Sequence, residues 1–258
     1  GLPGAVYEII AAEDIITPDG TVRNQKGNVV DTVTTDENGT AVSRELYLGK
    51  YEVREITAPH GMVLNPEPHC VELVYAGQNV AVTETATSFE NERQKVEISL
   101  VKSIEQNERF GIGTNGEMKN ISFGLFAAEE IVSASGTSIP ANGLVEIISL
   151  NEDGTAKIKT DLPFGSYYVQ ELATDSHYKL SDTKYPVTFG YASQDTAVVK
   201  IAVNGGNAVE NKLIYGSVSG KKIDENGDSL GGALIGLFRT DDGEFTKENA
   251  LMTTASAE

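Results

Sequence analysis

Apolar and polar residues alternate through much of the chain. Val96, Ile98 and Leu100 share one parity, as do Tyr51 and Val53, and Tyr167 and Val169. Val71, Leu73 and Tyr75 continue the pattern, followed by Val80 and Val82. A period of two is the mark of strands that bury one face. Between the runs lie Pro18-Asp19-Gly20, Glu37-Asn38-Gly39, Glu152-Asp153-Gly154 and Glu225-Asn226-Gly227. There Gly or Asn takes a positive φ at little cost, so each reads as a tight turn. Short strands at this spacing predict an all-β chain of Ig-like sandwiches. Ala11 to Ile15 and Phe245 to Leu251 leave room for short helical turns, though neither carries a convincing cap.

Sliding the sequence against itself shows a long repeat. YEIIAAED (Tyr7 to Asp14) matches FGLFAAEE (Phe123 to Glu130), and GKYEVREITA (Gly49 to Ala58) matches GSYYVQELAT (Gly165 to Thr174). SFENE (Ser88 to Glu92) matches AVENK (Ala208 to Lys212), and a third copy starts near Tyr215, with GLFRTDD (Gly236 to Asp242) echoing GLFAAEE. Lys102 and Lys222 are 120 residues apart, as are Asn91 and Asn211. That spacing is the size of an independent domain and far above a solenoid period. The expected domains are 1–93, lacking an opening strand, 94–212, complete, and 213–258, the opening part of a third.

Composition narrows the function. The 258 residues are 40% hydrophobic and 22% charged, with 38 acidic against 20 basic side chains and a formal charge of -18. Such a field repels phosphate backbones and anionic headgroups, which argues against nucleic acid and membrane surfaces as partners. No run approaches the roughly 18 apolar residues of a membrane span, and GLPGAVYEII lacks the basic start of a signal peptide. The chain therefore reads as a soluble segment of something longer. A single cysteine, Cys70, permits no intrachain disulfide and no cysteine metal cage, so durability outside a cell needs another source.

Three polar residues sit on buried parities. Lys102 continues the face of Val96, Ile98 and Leu100; Glu171 continues that of Tyr167 and Val169; Asn211 shares parity with Val209. An unpaired buried amide or charge costs several kcal/mol, so the three are expected to satisfy one another. They fall on the first, a late and the last strand of one domain. Desolvation favours a neutral lysine amine and a protonated glutamic acid, and close confinement of amine and carboxamide raises their effective concentration.

The stretch GKYEVREITAPHGMVL resembles the pattern Tyr-x-x-x-Glu-x-x-Ala-Pro-x-Gly of the Cna B-type domains of Gram-positive surface adhesins and pilins, also called SpaA-like or prealbumin-like. Tyr51, Glu55, Ala58, Pro59 and Gly61 match, with Met62 in place of the closing Tyr. The second copy keeps Tyr167 and Glu171, while Thr174 and Asp175 replace Ala-Pro. The resemblance implies tandem prealbumin-like β-sandwiches and a self-made isopeptide bond: Lys102 attacks the Asn211 carboxamide, Glu171 shuttles protons and ammonia leaves. It implies no cofactor and no turnover, hence no enzyme. In the first copy Glu55 and Asn91 are the equivalents with no lysine upstream; in the third, Lys222 is the equivalent with no acid or amide after it. A strand around Val218 to Lys222 filling the first domain of another molecule is a further expectation.

On this reading the chain is a stalk segment on a Gram-positive cell wall. Its partners are neighbouring repeats of the same protein and a host extracellular or other surface protein met through regions outside the chain. Neither a Leu-Pro-x-Thr-Gly anchor nor a Tyr-Pro-Lys pilin motif is present, since Val187 follows Tyr185-Pro186. The alternative is a sandwich that binds protein or carbohydrate through loops such as Ser133 to Gly143, a reading weakened by few aromatics there. A hydrolase is disfavoured because no nucleophile elbow accompanies His60, His69 or His177. Asp224-x-Asn226-x-Asp228 starts like a calcium loop, but Ser229 and Ile235 replace its Gly and Glu, so a turn and no metal are expected. Cys70 is expected to be a small buried hydrophobe, and Asn204-Gly205-Gly206-Asn207 a hairpin turn.

Overall fold

The computed structural model describes residues 1–133 and 136–257, apart from the side chain of Arg109. Two compact units result, Gly1–Leu213 and Ile214–Glu258. The larger contains two successive β domains.

In the first domain β1 (Val6–Ala11), a short pair β2 (Ile15–Ile16) and β3 (Val22–Asn24), β4 (Val29–Thr34), β5 (Gly49–Thr57) and β6 (His69–Leu73) follow in order. One antiparallel sheet forms with order β4-β1-β5-β6. Its buried face carries Ile9, Ala11, Val30 and Tyr51, the last fully enclosed.

The second domain is a two-sheet sandwich. Its strands are β7 (Lys95–Ile104), β8 (Ser122–Ala127), β9 (Ile131–Val132), β10 (Ser138–Ile139), β11 (Leu144–Ser149), β12 (Thr155–Ile158), β13 (Gly165–Ala173), β14 (Lys184–Phe189), β15 (Val198–Ala202) and β16 (Val209–Asn211). One sheet runs β11-β8-β13-β14; the other is built on β7, with β12 antiparallel on one side and β15 then β16 parallel on the other. The inward parity of β7 (Val96, Ile98, Leu100) packs on Phe123, Leu125, Tyr167, Val169, Val187 and Phe189. Alternation on β7 thus delivers the core face, as its sequence predicts.

The same comparison explains a failed expectation. Val80 and Val82 form no strand and are exposed, as is Tyr75. They align with β15, whose hydrogen bonds are all made to β7. Residues 1–93 contain no counterpart of β7, so 40–48 and 74–92 run without a ladder. A strand is a property of a pair, and apolar alternation without a partner leaves backbone groups to solvent.

Other local expectations are corrected. No helix forms around Ala11 to Ile15, where β1 ends, and Phe245 to Leu251 holds one turn. Cys70 is exposed: on β6 it shares parity with Glu72, while His69, Val71 and Leu73 are the half-buried face. The Asn204 to Asn207 turn is no hairpin, because β15 and β16 both lie along β7, and Asn204 and Gly205 adopt positive φ to make a jog between them. Ala134 and Ser135, within the Ser133 to Gly143 insertion, lie outside the described residues.

The smaller unit pairs β17 (Leu234–Leu237) with β18 (Met252–Ala255), whereas the opening strand expected around Val218 to Lys222 does not form. Asp224 Oδ1 accepts from the amides of Asn226 and Asp228, which makes this motif an Asx turn with Gly227 at positive φ.

The two domains of the larger unit are tied at Gln94, which is buried. Its amide donates to Gly61 of the first domain, while its side chain donates to Ser193 and Thr196 carbonyls and accepts from Ala192 in the second. Gln194 reaches back to the amide of Ala58, and His60 packs at 4.7 Å from the Tyr191 ring. Gln94→Ala removes three side-chain hydrogen bonds to half-buried or exposed backbone groups, an expected loss of about 0.5–1.5 kcal/mol. A thermal melt unchanged by this substitution contradicts the assignment of the joint.

Candidate functional site

Lys102 stands near the end of β7, Glu171 on β13 of the opposite sheet and Asn211 at the end of β16. Parity turns all three inward. The Lys102 and Glu171 side chains are 0% and 1% exposed. Lys102 Nζ donates to Asn211 Oδ1 at 2.8 Å, to Val209 O at 2.9 Å and to Ser103 O at 2.8 Å, and lies 3.9 Å from Glu171 Oε1. Asn211 Nδ2 in turn donates to both Glu171 oxygens, at 2.9 and 3.0 Å, and to Thr174 Oγ1 at 2.8 Å. The carboxamide is therefore held by the amine on its oxygen and the carboxylate on its nitrogen.

Backbone geometry fixes these positions. Gly154 accepts a hydrogen bond from the Lys102 amide and has φ +79°; a Cβ there would sit 2.4 Å from the Lys102 carbonyl oxygen. Only glycine permits that approach. The Ser181 amide donates to Glu171 Oε2 at 2.9 Å. Burial pushes the Lys102 ammonium down to about 8, against the raising pull of the Glu171 and Glu210 carboxylates. The neutral amine, the nucleophilic form, is thereby populated near neutral pH.

Sequence reasoning passed over Thr174, Ser181 and Tyr178. Thr174 had counted only as a departure from Ala-Pro, yet its hydroxyl holds the Asn211 nitrogen. Tyr178 occupies the position of the closing Tyr of the motif; it is buried, pairs with Leu213 and donates to the Glu105 carbonyl. Aligning Tyr178 with Met62 would have found it.

The first domain repeats half of the arrangement. Glu55 is buried; Asn91 Nδ2 donates to Glu55 Oε2 at 2.7 Å and to Val63 O at 2.9 Å, and the Asn65 amide donates to the same Glu55 oxygen at 2.8 Å. Tyr7 donates to Glu55 Oε1 at 3.4 Å, and burial together with that carboxylate pushes its phenol up to about 12. Asn91 Oδ1 receives no hydrogen bond among the described residues. Lys222, in the smaller unit, is exposed and donates to its neighbour Ile223 O, the same local contact that Lys102 makes with Ser103. Val218 is 88% exposed, so the expected inward parity of Val218 and Lys222 has no core to face in that unit.

Remaining candidates have ordinary settings. His69 stacks on Phe89 at 4.0 Å and bonds Thr87, and His177 pairs with Asp175 at the surface. No cluster of three or more metal-ligating side chains occurs among the described residues.

The family model of the SpaA prealbumin-like fold domain matches residues 1–88 and 109–206, more than half of the chain. The chain belongs to the SpaA family. The two matched stretches contain Glu55 and Glu171, while Asn91, Lys102 and Asn211 lie outside them. Among individual proteins, the chain is 26% identical over 147 residues to the trypsin-resistant surface T6 protein of Streptococcus pyogenes serotype M6; the match spans 55% of this chain but only 26% of that protein's length. The solved structure of the Bacillus anthracis TIE protein shares the fold over 98% of this chain and 40% of that one, at TM-score 0.54 and 20% identity. GBS52, the minor pilin of Streptococcus agalactiae, aligns over 86% of this chain and 87% of that one, at 16% identity and TM-score 0.32.

Proposed function

We propose that this SpaA-type segment is a load-bearing part of a bacterial surface stalk, and that its second domain locks itself with an isopeptide bond between Lys102 and Asn211. The observation that carries the reading is the contact of Lys102 Nζ with Asn211 Oδ1 at 2.8 Å inside the buried core, with Glu171 on the nitrogen of the same amide. Once neutral, Nζ attacks Cγ of Asn211, the carbon that carries the Oδ1 it already contacts. Glu171 takes the proton that the amine gives up and delivers it to Nδ2, which leaves as ammonia. One C–N bond forms as one breaks. The site is consumed in the process, so the chain modifies itself once and catalyses nothing further.

A bond between β7 and β16 joins the strands where tension enters and leaves the domain. Force then passes through covalent links and bypasses the 109-residue span between the bonded positions. In a chain whose one cysteine permits no internal disulfide, this link would supply the missing durability. Kinship with a Streptococcus surface protein supports placement on a Gram-positive cell surface; attachment to the wall and contact with a host protein through other regions are part of the proposal. Intact mass tests the chemistry. The purified chain is expected to be lighter than its sequence by one ammonia, with a tryptic fragment joining Lys102 to Asn211; a chain of full sequence mass sinks the reading.

A further inference from the structure

The loop that follows Glu55 in the first domain is used differently from its counterpart in the second. Thr174 and Asp175 close their own domain, Thr174 on the Asn211 nitrogen and Asp175 on His177 and Asn120. Ala58 and Gly61 instead bond across the domain boundary, to Gln194 and Gln94. Gln194, in the turn between β14 and β15, spans the loop. Its Oε1 accepts from the Ala58 amide at 2.9 Å, its Nε2 donates to Ile56 O at 3.3 Å, and its carbonyl accepts from the Leu64 amide at 2.9 Å. Gly61 has φ +87°, and a Cβ there would lie 3.2 Å from the Phe164 ring, which stands with Tyr191 around His60. The connecting residues are held as well. Glu92 O accepts from the Val63 amide at 2.8 Å, Arg93 bridges to Met62 and pairs with Asp161, the Gln94 amide donates to Gly61 O at 3.0 Å, and the Lys95 amide donates to Ala197 O at 3.0 Å. A hinge needs residues free to change φ and ψ, and every residue from Glu92 to Lys95 is tied to one domain or the other.

We infer that residues 56–64 of the first domain are a socket for the Tyr191–Thr196 turn of the second, clamped by Gln194, and that this joint holds the two domains in one orientation with no hinge between them. Neighbouring domains ordinarily move relative to one another unless their interface prevents it. Here the Gln194 side chain offers an acceptor and a donor to backbone groups two residues apart at the end of β5, as a neighbouring strand would. A side chain with only one kind of polar atom cannot serve both. The rings of Tyr191 and Phe164 against His60 resist rotation about the connection. The match is specific to these positions, because the socket needs glycine at 61 for Phe164 to approach and the turn needs glutamine at 194. Bending load then passes from one domain to the next without a change of angle. The inference is independent of any bond between Lys102 and Asn211, since no contact of the joint involves either residue.

The exposed Cys70 on β6 offers one label position, and Ser149→Cys at the exposed end of β11 a second. Nitroxides at both sites of the full-length chain report the distance between the domains by pulsed dipolar electron spin resonance. One narrow distance distribution is expected. It should become broad or multi-peaked in Gln194→Ala and stay narrow in Asp195→Ala, which alters an exposed neighbour in the same turn. Hydrogen exchange supplies a second readout in the unlabelled chain. In Gln194→Ala the Ala58 amide should exchange about 2- to 10-fold faster, as the loss of one net hydrogen bond requires, while the amides of β5 that bond to β1 keep their rates. A broad distribution in the chain with Gln194 intact overturns the inference. So does a narrow distribution that persists in Gln194→Ala, equal broadening in Asp195→Ala, or an Ala58 amide whose exchange does not change.

Discussion

Lys102→Ala is expected to leave the second domain unlinked and to lower its unfolding free energy by about 4–5 kcal/mol, the loop-closure effect of a cross-link spanning 109 residues. For a domain of this size that is a drop in Tm on the order of 20 °C, readable by calorimetry. Stretching makes the difference larger. Single-molecule pulling on the native chain should show no unfolding length from residues between the bonded positions, whereas the variant should release on the order of 350 Å or more at about 3.3–3.6 Å per residue. A variant that melts and extends like the native chain removes the bond from the account. Asn211→Ala serves as an independent check, because it spares Lys102 and still prevents closure.

Glu171→Gln keeps the shape of the side chain but only one of the two oxygens that accept from Asn211, and it has no site to receive and return a proton. Removing such a group slows a proton-coupled step by about 10²–10⁴-fold, so the variant should fold and close its bond far more slowly than the native chain. The native reaction should also depend on pH with a defined sign. Burial lowers the Lys102 ammonium to about 8, so the neutral fraction falls roughly tenfold per unit below that value. In chain refolded from an unreacted state, the closure rate should therefore climb about tenfold per pH unit up to about 8 and level off above it. Closure at equal speed in Glu171→Gln, or a rate that falls as pH rises from 6 to 8, contradicts the assigned roles.

Strand periodicity made the second domain legible before any coordinates. Val96, Ile98, Leu100 and Lys102 lie on one face because successive side chains alternate, and the burial of β7 follows that order residue by residue. The same rule placed Glu171 and Asn211 inward. It misled at Cys70 only because the neighbouring apolar residues drew attention from its parity, which it shares with Glu72. Thr174 and Ser181 were invisible for another reason. A hydroxyl and a loop amide carry no pattern of their own and gain meaning only from what they touch.

The first domain marks the boundary most clearly. Its sequence carries the alternation of Val80 and Val82 and the motif of Tyr51, Glu55, Ala58, Pro59 and Gly61 as plainly as any part of the chain. By itself the sequence determined the all-β class, the repeat, and which side chains face a core, since these depend on local alternation and turn chemistry. Whether an alternating segment becomes a strand, and whether an acid and an amide meet an amine, was decided only by the tertiary structure. Backbone pairing and a buried polar contact both need a second segment brought from far along the chain, and β7 supplies it in one domain while nothing in residues 1–93 does so in the other.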